Sequence, residues 1–412
     1  MLYELNEFKK AAMLPAHLWS EAAGLFLNIL PKERNPLGRA FSAGNEFLER
    51  TTRHYVKPEF GIDHITIKIN GRPKKITITE ETVFDRPFCN LRYFKRSSSK
   101  INFGSNDPNI LIVAPLSGHH ATLLRDTVRT LLPDHNVWIT DWKDARLVPL
   151  IDGPFSLDHY VDLLLEFVSF FKGNVHIMAV CQPVVPVLMA TSYLGMIDSP
   201  HQPRSMILMG GPVDARINPG AVNLFAQEHS IEWFERNIIT KIPKYYPGAI
   251  RSVCPGFIML NGFMALNIDR HQEASVDLFK HLVQGDMETA NAHRSFYDEY
   301  RAVLDIPAEY FMQSVDRIFK KFDLPLGRMT FRGHPINPEF IQKTALFTIE
   351  GERDDISCPG QTYAAHRLCK NLSSYQRDHY VQPGVGHYGI FNGKRWRNEI
   401  KPRIATFVRQ FN

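Results

Sequence analysis

A chain of 412 residues, 44% hydrophobic and 22% charged, is long enough for one large domain carrying an insertion, or for two domains, each with a sizeable core. Its formal charge of +5 is small for that length and its Lys and Arg residues are scattered; clusters such as Arg72-Pro73-Lys74-Lys75 and Lys394-Arg395-Trp396-Arg397 read as solvated faces, which sets nucleic-acid binding aside. Five cysteines (Cys89, Cys181, Cys254, Cys358 and Cys369) lack CxxC or Cys/His ligand spacing, so a metal, a cofactor or a disulfide framework is not expected.

The chain opens on the acidic Met1-Leu2-Tyr3-Glu4-Leu5-Asn6-Glu7, without a basic stretch ahead of an apolar one, and no apolar run reaches the length of a bilayer span. A reducing cytoplasm is therefore the expected compartment. Residues 1 to about 60 read as a helical segment, with apolar faces in Leu14-Pro15-Ala16-His17-Leu18-Trp19 and from Leu25 to Leu30. Alternation from Ile62 to Ile69, the turn Asn70-Gly71, and Lys75-Ile76-Thr77-Ile78-Thr79 predict an antiparallel hairpin. Strands and helices then alternate: strand Ile110–Ala114, helix Ala121–Leu132, strand Val137–Thr140, helix Leu157–Phe171, strand Val175–Val180 and strand Ser205–Met209. This rhythm predicts an α/β fold with a mostly parallel sheet between helices. It stops at Val213, where a helical, aromatic-rich stretch begins, and resumes at Thr344. The expected organisation is a helical segment over 1–60, a core from 61–212 and 339–412, and a mainly helical cap inserted over 213–338. Most of the cap aromatics are expected to build the cap's own interior.

The chemistry concentrates at Asn174-Val175-His176-Ile177-Met178-Ala179-Val180-Cys181-Gln182-Pro183, an apolar strand that runs into a cysteine and then into the apolar stretch Val184–Leu194. A nucleophile on the turn between a strand and a helix is the elbow of the α/β-hydrolase fold. The usual pattern there is Gly-x-Ser-x-Gly, whose outer slots hold Ala179 and Pro183 in this chain. Ala179 is small, and Pro183 falls in the first turn of the helix, where a missing N–H costs little. The fold orders its triad as nucleophile, acid, histidine. Downstream, the strand-like Thr344–Glu350 leads into Gly351-Glu352-Arg353-Asp354-Asp355-Ile356, and Asp378–Val381 leads into Gly384-Val385-Gly386-His387-Tyr388-Gly389. Asp354 at the turn is preferred over its neighbour Asp355 as the acid, and His387, between glycines, as the base.

In this reading Cys181 attacks an ester carbonyl, His387 receives its proton and passes it to the leaving alkoxide, and Asp354 holds the imidazole tautomer. The oxyanion needs two backbone N–H donors: Gln182 after the nucleophile, and Ser117, with Gly118 next, in the loop Pro115-Leu116-Ser117-Gly118-His119-His120. The His119-His120 pair has no further ligand at metal spacing and reads as structural or as an edge of the substrate site. Asp141-Trp142 reads as packing.

Four segments together, Ala179-Val180-Cys181-Gln182-Pro183, Pro115-Leu116-Ser117-Gly118-His119, Thr140-Asp141-Trp142-Lys143-Asp144-Ala145-Arg146 and Gly386-His387-Tyr388-Gly389, resemble the intracellular poly(3-hydroxybutyrate) depolymerases. The resemblance spans nearly the whole chain, including the Leu14–Trp19 region. It implies an intracellular Cys-Asp-His ester hydrolase that degrades stored polyester to hydroxybutyrate oligomers and monomer. Carried over residue by residue, it again gives Cys181, Asp354 and His387. It also implies association with the surface of amorphous polyhydroxyalkanoate granules as a partner. Two alternatives stand beside it. One is a polyhydroxyalkanoate synthase-like acyltransferase, whose elbow resembles Gly-x-Cys-x-Gly; the other is a non-catalytic granule-associated protein.

Overall fold

The computed structural model describes residues 2–29, 36–69, 71–97 and 107–412. Leu30 and Asn70, at the end of the second apolar run and in the expected hairpin turn, lie outside them.

A nine-stranded sheet forms the centre, in the order β1-β2-β3-β5-β4-β6-β7-β13-β14. Its strands are β1 (His64–Ile69), β2 (Arg72–Asp85), β3 (Cys89–Ser97), β4 (Asn109–Val113), β5 (Asn136–Trp142), β6 (His176–Val180), β7 (Ser205–Met209), β13 (Ala345–Gly351) and β14 (Arg377–Gln382). The first three strands and the β3–β5 pair are antiparallel; from β5 through β4, β6, β7 and β13 to β14 every pair is parallel. This order and direction are those of the α/β-hydrolase fold, with β1 as an additional edge. Strands β4, β6, β7 and β13 are almost wholly buried, as continuous apolar runs covered on both faces must be. Helices α3 (Arg125–Leu131), α4 (Leu157–Phe170) and α5 (Val184–Met196) flank the sheet. Ser156 caps α4 by accepting from the His159 N–H. The expected helix from Ala121 begins instead as a 3-10 turn, Ala121–Leu124, before α3.

The sequence reading missed β3. In Cys89-Asn90-Leu91-Arg92-Tyr93-Phe94-Lys95-Arg96-Ser97 the charged residues interrupt the apolar signal, but their partners lie elsewhere: Arg92 reaches Asp141 and Arg96 reaches Asp107. Buried polar pairs of this kind leave no periodic trace in one strand's sequence.

The amino-terminal stretch folds as α1 (Leu2–Ile29) and α2 (Pro36–Thr52), followed by irregular chain to Asp63. The expected apolar faces are not simply buried: Leu14, Leu18, Trp19, Leu25 and Phe26 are exposed, while Tyr3 at the start of α1 is enclosed against Tyr246 and Phe257.

Between Val213 and Pro338 run α6 (Ala221–Glu228), α7 (Ile231–Asn237), α8 (Gly256–Leu266), α9 (Ile268–Gln284), α10 (Met287–Arg301) and α11 (Ala308–Ser314). Two small antiparallel ladders lie among the helices of this stretch. One joins β8 (Thr240–Lys241), β9 (Ser252–Cys254) and β10 (Ile306–Pro307); the other joins β11 (Thr330–Phe331) and β12 (His334–Pro335). Strands of two or three residues are too short for period-two alternation to be visible. Phe234, Tyr297, Tyr300 and Tyr310 are buried, whereas Tyr245 is exposed. Among the described residues, no helix is long and apolar enough to cross a membrane.

Candidate active site

The parallel register brings three strand ends level: Val180 pairs with Met209, and Met209 with Ile349. The residues just beyond them sit at the carboxyl edge of the sheet, where open α/β folds gather their chemistry. Cys181 is the first residue past β6. Its φ of +68° lies in the left-handed region, a conformation that costs a non-glycine residue energy unless its surroundings enforce it. They do so here. The Cys181 N–H donates to the Met209 carbonyl (2.7 Å), its carbonyl accepts from the Val184 N–H (3.3 Å), and Pro183 caps the buried α5.

Two glycines directly after β7 make this packing feasible. A Cβ on Gly211 would stand 2.5 Å from the Cys181 carbonyl oxygen and 2.4 Å from the Val184 Cβ. On Gly210, whose φ is +55°, it would meet the Ile390 side chain at 2.6 Å, close to Asp354 and His387. The visible signal was the pair itself, Gly210-Gly211, directly after a buried strand.

Asp354 and His387, the residues read as acid and base, lie side by side. His387 Nδ1 lies 2.7 Å from Asp354 Oδ2, and both side chains are buried. Asp354 Oδ1 accepts from the Ile356 N–H (3.0 Å) and the Ser357 N–H (2.9 Å), which fixes the carboxylate in its turn. The rival Asp355 faces elsewhere, accepting from Asn267 Nδ2 at 2.7 Å. Burial works against a charged His387 ring. The Asp354 carboxylate at 2.7 Å and the charge of Cys181 outweigh it and hold His387 well above its ordinary value.

A further carboxylate went unnoticed. Glu350, buried at the end of β13, accepts from the N–H groups of Gly360, Thr362 and Tyr363 at 2.8–3.0 Å. Thr362 in turn accepts from the Gly211 N–H (2.8 Å) and donates to its carbonyl (3.0 Å). The loop carrying Asp354 is thereby tied to the glycine pair behind Cys181. An acidic residue inside an apolar strand was the available clue.

Cys181, Gln182, Ser117 and His387 share the wall of a cavity of about 520 Å³, within the range of small-molecule sites. The rest of the wall is overwhelmingly apolar and includes Leu116, Leu123, Phe225, Met259, Phe263 and Phe311. Gly118, the second choice for the oxyanion loop, is anchored through its carbonyl, which accepts from the Leu304 N–H at 2.8 Å. The Gln182 amide donates to the Tyr310 hydroxyl. Trp142 packs as expected, its indole N–H donating to the Ala114 carbonyl at 2.8 Å, and Asp141 is paired with Lys57 and Arg92. Burial pushes the Cys369 thiol up to about 12 and raises Cys89 and Cys254 as well.

The chain is similar to a monoacylglycerol lipase of Paleococcus ferrophilus, with 12% identity and a TM-score of 0.42 over 74% of this chain and 96% of that one. It is similar to an epoxide hydrolase of Bacillus megaterium (13%, 0.41, 79% and 99%) and to a thermophilic esterase of Thermogutta terrifontis (13%, 0.40, 84% and 97%). No curated protein matches it. Residues 210–412, which begin at the glycine pair and contain Asp354 and His387, match the model described as PHB de-polymerase C-terminus.

Proposed function

We propose that the protein hydrolyses ester bonds of stored poly(3-hydroxybutyrate), with Cys181 as nucleophile, His387 as general base and acid, and Asp354 orienting His387. The observation that carries this reading is that His387, bonded to the buried Asp354, stands with Cys181 in the wall of one apolar cavity. An apolar wall suits a chain of ester units, which have no charge to solvate.

The Cys181 sulfur, its proton already passed to His387 Nε2, attacks the ester carbonyl carbon as a thiolate. The oxyanion is received by the Gln182 and Ser117 N–H groups. Collapse of the tetrahedral intermediate breaks the bond to the alkoxy oxygen, which takes the proton from His387, and leaves a thioester on Cys181. Water then attacks the thioester as His387 takes its proton; the second collapse releases the hydroxyacid and returns the proton to sulfur. Asp354 keeps the Nδ1 proton in place, so that Nε2 is free to accept. The aromatic-rich stretch 213–338 acts as the lid over this site, and the protein works in the cytoplasm at the granule surface.

Incubation with amorphous polymer granules and, separately, with hydroxybutyryl-CoA tests the assignment. Release of acid from granules without chain growth from the thioester is the expected result. Chain growth would instead assign a synthase-like acyltransferase, and inertness toward both would assign a granule-associated protein without catalysis.

A further inference from the structure

Helix α8 carries no charged residue and lies against the loop that holds Ser117 and Gly118. A Cβ on Gly118 would stand 2.9 Å from the Met259 Cβ, and the Phe263 ring centroid is 5.4 Å from that of His119. The helix contains two glycines. Gly256, at its start, is explained by packing, since a Cβ there would meet the Leu304 carbonyl oxygen at 2.5 Å. Gly262 has no such reason. Its backbone is ordinary helix rather than left-handed, and an added Cβ would find nothing within 4 Å. A glycine inside a helix costs stability against alanine, so a position that neither folding nor packing requires is explained by what passes beside it.

That open space belongs to the cavity that holds Cys181. Gly262 borders it, and so do Ile258, Met259, Ala265 and Leu266, which stand four and three residues before it and three and four after it. Residues at these spacings share one helix face, so Gly262 sits at the middle of the face turned to the cavity. The position is exposed, so the space above it can be reached. One helical turn, about 5 Å, separates Gly262 from Met259 at the Gly118 loop, a distance of the order of one four-atom polyester repeat. Among the described residues, no Lys, Arg, Asp or Glu lines the cavity, so the segment that suits this wall is an uncharged stretch of chain.

Resting on the reading of Cys181 as the nucleophile of a polyester hydrolase, we propose that Gly262 is a specificity-determining residue. The ester unit next to the one under attack lies over its bare Cα. The missing side chain is what admits a chain of several units beside the reacting ester, where a side chain would leave room for a single short one.

The test compares kcat/KM for the methyl ester of a 3-hydroxybutyrate trimer with that for methyl 3-hydroxybutyrate in the full-length protein. The two substrates differ in length and not in charge. Gly262→Leu fills the space with a better helix former, so it should melt no lower than wild type. Its trimer-to-monomer ratio should fall about tenfold or more, and that of Gly262→Ala, which adds one carbon, about twofold to threefold. Asn261→Leu puts the same side chain on the next residue, which is exposed and does not line the cavity, and should hold the ratio within about twofold of wild type. A ratio unchanged in Gly262→Leu overturns the proposal, as does a ratio that falls equally in Asn261→Leu. A Gly262→Leu protein that melts well below wild type also overturns it, because the space would then serve the protein's own packing. Loss confined to 4-nitrophenyl octanoate relative to 4-nitrophenyl butyrate, with the trimer ratio intact, would give the space to a long side chain instead. If the wild type cleaves neither methyl ester nor polymer, the hydrolase reading itself falls, and this inference with it.

Discussion

His387 Nδ1 and Asp354 Oδ2 stand 2.7 Å apart in a buried pair, and Asp355, one residue along, bonds Asn267 instead. A one-residue difference in chain position thus separates a carboxylate facing the imidazole from one facing away. Asp354→Asn should lower kcat by about 10³–10⁴, the loss seen when a triad carboxylate no longer enforces the tautomer. Asp355→Asn should stay within about twofold of wild type. Steady-state turnover of a soluble 3-hydroxybutyrate ester checks both.

The same pair has a pH signature. His387 is held above its ordinary value in the folded protein, so its ion pair stabilises the fold fully below about pH 6.5, and that contribution fades as pH rises through the raised value. The stability gap between wild type and Asp354→Asn should therefore be widest on the acid side of pH 6.5 and narrow above it. Thermal melts from pH 5.5 to 9 measure it; a gap that grows with pH would contradict the assignment.

The elbow makes a separate demand. Gly211→Ala places a methyl group within 2.5 Å of the Cys181 carbonyl and of Val184, atoms that belong to backbone and a buried core. Overpacking of this kind costs about 1–3 kcal/mol, and it falls on the turn that aims the nucleophile. Both Tm and kcat should drop, whereas Gly262→Ala, in α8 with nothing within 4 Å of the added Cβ, should leave Tm unchanged or slightly raised.

Much of this site was legible in the sequence, and the reason is geometric. Triad members fall at strand ends, so an apolar run followed by Cys181, a second followed by Gly351-Glu352-Arg353-Asp354, and Gly386-His387 after a third are local patterns that survive without the fold. Asp354 over Asp355 was readable from its place at the turn. What stayed hidden depends on contacts between distant segments: the approach of Gly211 to Cys181, the hold of Glu350 on Gly360–Tyr363, and β3, whose Arg92 and Arg96 look exposed until Asp141 and Asp107 are placed beside them. The exposed apolar face of α1 was misjudged for the same reason, since amphipathic spacing does not say which neighbour covers it.

Asp305 offers a stability test away from the reaction. Its carboxyl is pushed up to about 7 by burial, although Oδ1 accepts from the Gly256 N–H at 2.8 Å, and Oδ2 has no hydrogen-bond partner. Between the ordinary value near 4 and about 7 the unfolded chain loses this proton while the folded protein keeps it, so the group makes the protein less stable as pH rises across that window. Asp305→Asn retains the acceptor and removes the titration. Relative to wild type it should gain about 3 kcal/mol on going from pH 4.5 to pH 7.5, read from denaturant melts at the two pH values.

Phe225 lines the cavity yet remains 44% exposed, so it stands at the mouth. Phe225→Ser should reduce acid release from amorphous granules at least about fivefold more than it reduces cleavage of a soluble ester, since only the polymer has to be drawn from an apolar surface. Equal losses on both substrates would remove the lid from granule recognition.

The most direct measurement is rapid-quench mass spectrometry of the protein turning over a 3-hydroxybutyrate ester. The mechanism predicts a transient 3-hydroxybutyryl adduct on the peptide containing Cys181, absent from Cys181→Ala, which should also lose at least about 10³-fold in kcat while melting like wild type. An adduct on any other residue, or a Cys181→Ala variant that still turns over, would contradict the assignment of this sulfur as the nucleophile.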